Sequence, residues 1–161
     1  MAEGAGAAGT LIAALGNPLM GDDGAGVAVL EELRRRGVPA GVRLYDAGAA
    51  GIDLLMELEG VDTLILLDAL ASEDPAGTVR VLEGEEIFRH AEGRGMGSHQ
   101  PSLAGTLRLA GCLGLMPARV AVVGITARQF ALGAGLSQEV ADAVTRAADA
   151  VQALLGAAAA G

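Results

Sequence analysis

Two adjacent aspartates occupy a loop whose glycine pattern would otherwise suit a phosphate. The stretch Gly16-Asn17-Pro18-Leu19-Met20-Gly21-Asp22-Asp23-Gly24-Ala25-Gly26 has the glycine skeleton of a phosphate-binding loop, in which backbone N–H groups and a lysine converge on anionic oxygens. Asp22 and Asp23 stand where such a loop carries Lys and Ser/Thr. Each would repel an incoming phosphate by about 4 kcal/mol at 4 Å and an effective dielectric of 20, so the loop is better suited to a cation. Three more side chains are candidates for the same site: Asp46, Asp68 and His99. Carboxylate oxygens with an imidazole nitrogen form a mixed donor set that suits first-row divalent metals such as Ni²⁺ or Zn²⁺. Without a cation, the same acids brought together would raise a pKa or cost stability.

The elements that must position these residues follow from alternating apolar runs and helical patterns, which indicate a parallel α/β sheet. Thr10–Leu15 reads as a first strand and Asp23–Arg36 as a helix, with Arg34-Arg35-Arg36 in its last turn and Gly37 just past its end, as the helix dipole favours. Glu31 with Arg35 and Glu32 with Arg36 are spaced as i,i+4 pairs. Val42–Asp46 is expected as a second strand and 52–59 as a second helix with Ile52, Leu55, Met56 and Leu58 turned inward. Thr63–Leu67 is continuously apolar and ends in Asp68, as for a central strand covered on both faces. Thr78–Leu82 alternates, Val79 and Val81 against Thr78 and Arg80, which predicts a half-exposed edge strand. Gly93–Ser98 reads as a flexible loop that delivers His99 to the start of a helix opened by Gln100-Pro101-Ser102. Arg119–Ile125 is another buried strand, and Ser137 is expected to cap a last helix running to about Leu155.

This order gives the acids a common address. In open α/β sheets ligands bind beyond the carboxyl ends of the strands, where the strand order reverses. Asp23 follows the first strand, Asp46 ends the second and Asp68 ends the third. If the sheet winds in two directions from the first strand, Asp23 and Asp68 flank the crevice and His99 enters it from the Gly-rich loop. Simpler roles compete at several positions. Asp22 or Asp23 could cap the helix, and Asp46 could bond to the turn at Gly48. His99 could be a cap-region side chain in water, and His90 reads as solvated. Cys112 reads as core packing among Leu109, Leu113 and Leu115. Ser98 lacks a G-x-S-x-G elbow, which speaks against a serine hydrolase.

Composition narrows the function classes. At 161 residues the chain is read as one domain over 1–161, with 1–9 and 157–161 expected to fray; a domain of this size buries roughly 70% of its unfolded surface. Its 52% hydrophobic content is almost wholly Ala, Val, Leu and Ile, with Tyr45, Phe88 and Phe130 the aromatic side chains, which leaves few platforms for stacking bases. Twenty acidic against 11 basic residues give a net charge of −9, opposing nucleic acid and anionic membrane surfaces. All 11 basic residues are arginine, so lysine nucleophiles and Schiff bases are excluded. A single cysteine excludes intramolecular disulfides and cysteine-rich metal sites. Met1–Gly6 carries no basic n-region, and Leu11–Leu15 is too short for a signal core or a membrane span, so a cytoplasmic protein is expected.

Taken together, Gly16 to Val27, Asp46-Ala47-Gly48-Ala49-Ala50-Gly51, Leu67-Asp68-Ala69 and Ser98-His99-Gln100 resemble the [NiFe]-hydrogenase maturation endopeptidases. The similarity extends from about Thr10 to Leu155 and includes Gly124-Ile125 and Gly135-Leu136-Ser137. The resemblance implies a three-layer α/β/α sandwich with a mostly parallel five-stranded sheet and one antiparallel strand. It also implies an endopeptidase that recognises nickel already inserted into the precursor of the hydrogenase large subunit and removes its short C-terminal extension. Nickel would come with the substrate, no organic cofactor is implied, and the metal-contacting residues would be Asp23, Asp68 and His99, with Asp46 in support. One departure is that the family's Asp-x-Gly-Thr segment reads Asp46-Ala47-Gly48-Ala49 here, without the threonine. Two other readings stay open: a nickel-recognition or assembly factor that keeps the ligands without cleaving, and a nucleotide-binding domain. Against the latter, GxGxxG is not met and the acids oppose phosphate.

Overall fold

The computed structural model describes residues 9–49, 52–93 and 103–160. Four apolar segments, β1 (Gly9–Ala14), β2 (Val42–Asp46), β3 (Val61–Leu70) and β5 (Arg119–Thr126), lie parallel. The fifth strand, β4 (Val79–Glu83), pairs antiparallel with β5 at the edge, and the order across the sheet is β2-β1-β3-β5-β4. β3 is buried continuously from Leu64 to Leu70, because a central parallel strand has helices on both faces. Alternation along the strands sends Ile12, Ile65, Leu67 and Val123 to one face, together with α1 (Ala25–Arg36) and α5 (Gln138–Ala159). Leu11, Leu64, Leu66 and Val122 go to the other, under α2 (Leu54–Glu57), α3 (Glu85–Gly93) and α4 (Leu103–Cys112). This is the three-layer α/β/α sandwich that the family resemblance implies, built on the α/β sheet expected from the sequence pattern.

The α1–α5 layer packs through small and branched side chains, Val29 and Leu33 with Val140, Ala143, Ala147 and Val151. Arg36 ties the end of α1 to α5, donating to Asp149 Oδ1 at 2.7 Å and Gln152 Oε1 at 2.8 Å. At the other end of α1 the helix rests on strand backbone: a Cβ on Gly26 would lie 2.3 Å from Leu67 O and 2.8 Å from Leu15 O. Gly26→Ala is therefore expected to lower stability by about 3 kcal/mol through overpacking. Urea denaturation checks this, and an unchanged midpoint would contradict so close an approach.

Several boundaries and facings differ from expectation. The first helix does not start at Asp23. A 3-10 turn, Gly21–Gly24, precedes α1, and within α1 Glu31 pairs with Arg34 rather than Arg35, while Glu32 pairs with Arg35 and Arg36. The second helix is only one turn, and its phase is rotated. Leu58 is buried as expected, but its partner on the inward face is Leu54, while Ile52 and Met56 are 37% and 83% exposed. Both pairs have i,i+4 spacing, so the pattern alone could not choose between them. β4 starts one residue later than expected, and Val81 faces outward while Leu82 enters the core. Cys112 is exposed, as are Leu109 and Leu113, because α4 turns Ala104, Leu107 and Ala110 inward. At the ends, Gly9 already belongs to β1 and α5 continues to Ala159.

Candidate active site

β1 pairs with β2 on one side and β3 on the other, so the chain winds outward to β2 and returns across β1 to β3. The crevice of the order reversal therefore lies between β1 and β3, at their carboxyl ends. Asp23 and Asp68 both belong to this crest. The 3-10 turn that carries Asp22 and Asp23 leaves β1 and contacts β3, and Asp68 lies on β3 itself. The strand does not stop at Asp68 but runs on to Leu70.

The loop after β1 is built to present Asp23. Asn17 N–H donates to Asp23 Oδ2 at 2.8 Å, and Asn17 Oδ1 in turn accepts from Leu19 N–H at 3.0 Å. Gly16 makes the return possible: its φ is +110°, and a Cβ there would lie 2.0 Å from Asp23 O, a position that only glycine can occupy. Asp23 is half-buried, with access to solvent.

Its neighbour Asp22 has a different task. The carboxylate is fully buried and turned away from α1, toward the loop between β5 and α5. Oδ1 accepts from Ser137 N–H at 2.7 Å, and Oδ2 accepts from Ser137 Oγ at 3.0 Å, Gln129 N–H at 3.1 Å and Arg128 N–H at 3.2 Å. Burial by itself pushes this carboxyl upward, but the donors from Ser137, Gln129 and Arg128 outweigh it and hold the group below its ordinary value. Asp22 thus clamps two loops rather than capping α1. Ser137 stands at the N-cap of α5, but its hydroxyl donates to Asp22 instead of accepting from the helix.

Asp68 has both carboxylate oxygens near donors. Oδ1 accepts from Ala69 N–H at 2.9 Å, and Oδ2 lies 3.4 Å from His90 Nε2. The two side chains are 1% and 7% exposed, so His90 is not the solvated residue expected from sequence. It sits on α3 with Ile87 and Ala91, which are buried; the i, i+3, i+4 spacing of Ile87, His90 and Ala91 marks the inward face and was the available signal. Asp46 ends β2 on the surface, where its Oδ1 accepts from Gly48 N–H at 3.0 Å. That bond shapes a loop whose Gly48 O accepts from Gly16 N–H at 3.1 Å, so Asp46 supports the Asp23 loop from the side.

His99 and the Gln100-Pro101-Ser102 helix start lie outside the described residues, as does most of the Gly93–Ser98 loop. Among the described residues no three His, Cys, Asp or Glu side chains are grouped closely enough to hold a metal. They contribute carboxylates to the crest and not a complete ligand set.

Fold and crest together define a class: a doubly wound α/β/α sandwich that offers acids, not phosphate-binding donors, at its switch point. A family profile described as hydrogenase maturation protease (HycI) matches residues 27–154, and the chain belongs to the hydrogenase maturation protease family. It is 36% identical over 116 residues to the hydrogenase expression/formation protein HupM of Azotobacter chroococcum mcd 1, a match covering 71% of this chain and 56% of the relative; the chain thus spans little more than half of that protein's length. With the hydrogenase 2 maturation protease of Escherichia coli K12 it shares 31% identity over 147 residues, covering 90% of this chain and 89% of the relative. The solved structure of the hydrogenase maturating endopeptidase HybD from E. coli superposes with a TM-score of 0.85 at 29% identity, covering 93% of both chains.

Proposed function

We propose that this protein is an endopeptidase that removes the C-terminal extension from the precursor of a [NiFe]-hydrogenase large subunit once nickel has been inserted. The observation that carries the reading is the placement of Asp23 and Asp68 on one crest, at the switch point of this family's fold. Membership of the hydrogenase maturation protease family supports peptide-bond hydrolysis, and the donor chemistry supports a nickel checkpoint. Among the described residues no helix is long and apolar enough to cross a membrane, and the reading includes a cytoplasmic location.

In this account the nickel belongs to the substrate. Asp23, Asp68 and His99 bind it, and so fix the scissile peptide over the crest. A nickel ion held by these residues would supply Lewis-acid chemistry, polarising the carbonyl or activating a water, and fixing the peptide relative to it would supply the orientation. This chain's contribution is preorganisation. Asn17 N–H fixes one carboxylate, and Ala69 N–H and His90 fix the other, before substrate arrives. No covalent intermediate is required. Intact-mass analysis of the precursor, produced in cells lacking this protein and then incubated with it, tests the reading. Loss of a single C-terminal peptide is expected; a precursor that binds but keeps its full mass would make the protein a recognition factor.

The His90 contact gives a graded expectation. A group that orients a metal-binding carboxylate typically contributes about 10- to 100-fold to affinity or activity, so His90→Leu should slow cleavage by about tenfold. His90→Gln, which keeps an N–H donor, should recover part of that loss. Equal rates for the wild type and His90→Leu, measured by the same mass assay, would show that Asp68 does not depend on this contact.

A further inference from the structure

Beside Asp23, the segment Leu19–Asp22 runs antiparallel to the β5–α5 loop. Gly133 N–H donates to Leu19 O at 2.8 Å, and Asp22 N–H donates to Gln129 O at 2.6 Å. The Asp22 carboxylate closes the join through Arg128, Gln129 and Ser137. On this clamped frame sit Leu19, Phe130 and Leu132, which are 65%, 43% and 76% exposed. A chain of net charge −9 that sets three large apolar side chains on one crest marks that crest as a contact surface. Because their backbone is already fixed, covering them costs a partner little ordering of this chain.

The crest position says what covers them. Leu19 precedes Asp23 by four residues in the same loop, and the Asn17 turn that holds the Asp23 carboxylate also holds the Leu19 amide. A polypeptide whose peptide bond reaches Asp23 comes to the loop that also exposes Leu19. We propose that Leu19, Phe130 and Leu132 form the docking surface for the folded body of the substrate protein, meeting an apolar patch beside its cleavage segment. This inference rests on the endopeptidase reading above. A second exposed apolar group, Leu109, Leu113 and Met116, lies at and just beyond the end of α4, before the amino end of β5 and so at the opposite end of that strand from the crest, and provides the internal comparison.

The test is processing of the nickel-loaded large-subunit precursor at graded concentrations, with binding to the nickel-free precursor measured in parallel. The triple variant Leu19→Ser, Phe130→Ser, Leu132→Ser is expected to raise KM at least about tenfold and to weaken binding comparably, with kcat within about twofold of wild type. Leu113→Ser should change neither. Leu132→Asp, one change at the most exposed of the three positions, should act in the same direction if the triple variant melts early. A triple variant indistinguishable from wild type overturns the assignment, as does a Leu113→Ser effect of equal size. Sedimentation showing that the surface is buried between two copies of wild type, which the triple variant separates, also overturns it. Wild type that cuts, with variants that keep its KM, rejects the surface alone, whereas wild type that neither binds nor cuts rejects the endopeptidase reading and the surface with it.

Discussion

Asp68→Ala is expected to reduce precursor cleavage by about 100-fold or more, the scale of removing one preorganised electrostatic group from an active site, and Asp23→Ala by a similar factor. The informative variant is Asp68→Asn. An amide in this place still offers Oδ1 to Ala69 N–H and keeps the shape of the buried side chain, whose present exposure is 1%. It removes the charge and presents an NH2 donor to His90 Nε2, which the neutral imidazole meets by accepting at that nitrogen. If the carboxylate works by binding a cation, Asp68→Asn should lose nearly as much activity as Asp68→Ala while melting close to wild type. An Asp68→Asn protein that cleaves at the normal rate would mean that Asp68 shapes the crest and does not meet the metal. Initial rates by intact mass, with a thermal melt of each variant, separate the two.

The second large effect is on stability and falls one residue away from a proposed metal ligand. Asp22→Ala leaves the N–H groups of Arg128, Gln129 and Ser137 without the carboxylate that accepts from them. At about 1–3 kcal/mol for each buried donor left unsatisfied, and with partial rescue by water, the expected loss is about 3–4 kcal/mol. The pH dependence has a definite sign. The folded state holds Asp22 below its ordinary value of 3.8, so its contribution is complete above that value and is lost as the pH falls through the lower folded value. Denaturant melts from neutral pH into the acid range should show wild type losing this part of its stability and converging on Asp22→Ala. A constant gap between the two proteins down the acid range would contradict the clamp. The same variant loosens the frame under Leu19 and Phe130, so its effect on substrate binding should follow its effect on stability.

Much of this architecture is written in local pattern. The apolar run at Leu64–Leu67 marks a strand covered on both faces, Gly37 and the preceding arginines mark the end of α1, and Asp23 and Asp68 share an edge because strand order dictates it. What local pattern misses depends on phase or on distance along the chain. Ile52 with Met56 and Leu54 with Leu58 have the same helical spacing, and only packing against the sheet decides which pair is buried. Cys112 looks internal from its apolar neighbours, yet those neighbours are on the outer side of α4. His90 lies among charged residues, and its burial follows from α3 docking over the Asp68 face of β3. The role of Asp22 depends on donors more than a hundred positions away, and no reading of its own loop reveals them.

The central claim is that cleavage waits for the metal, and one comparison reaches it directly. The large-subunit precursor, prepared with and without nickel, is incubated with this protein, and its intact mass is followed over time. Loss of one C-terminal peptide from the nickel-loaded form alone is the expected result. Equal cleavage of both forms would show a peptidase without a metal checkpoint, and would remove nickel from the roles given to Asp23, Asp68 and His99.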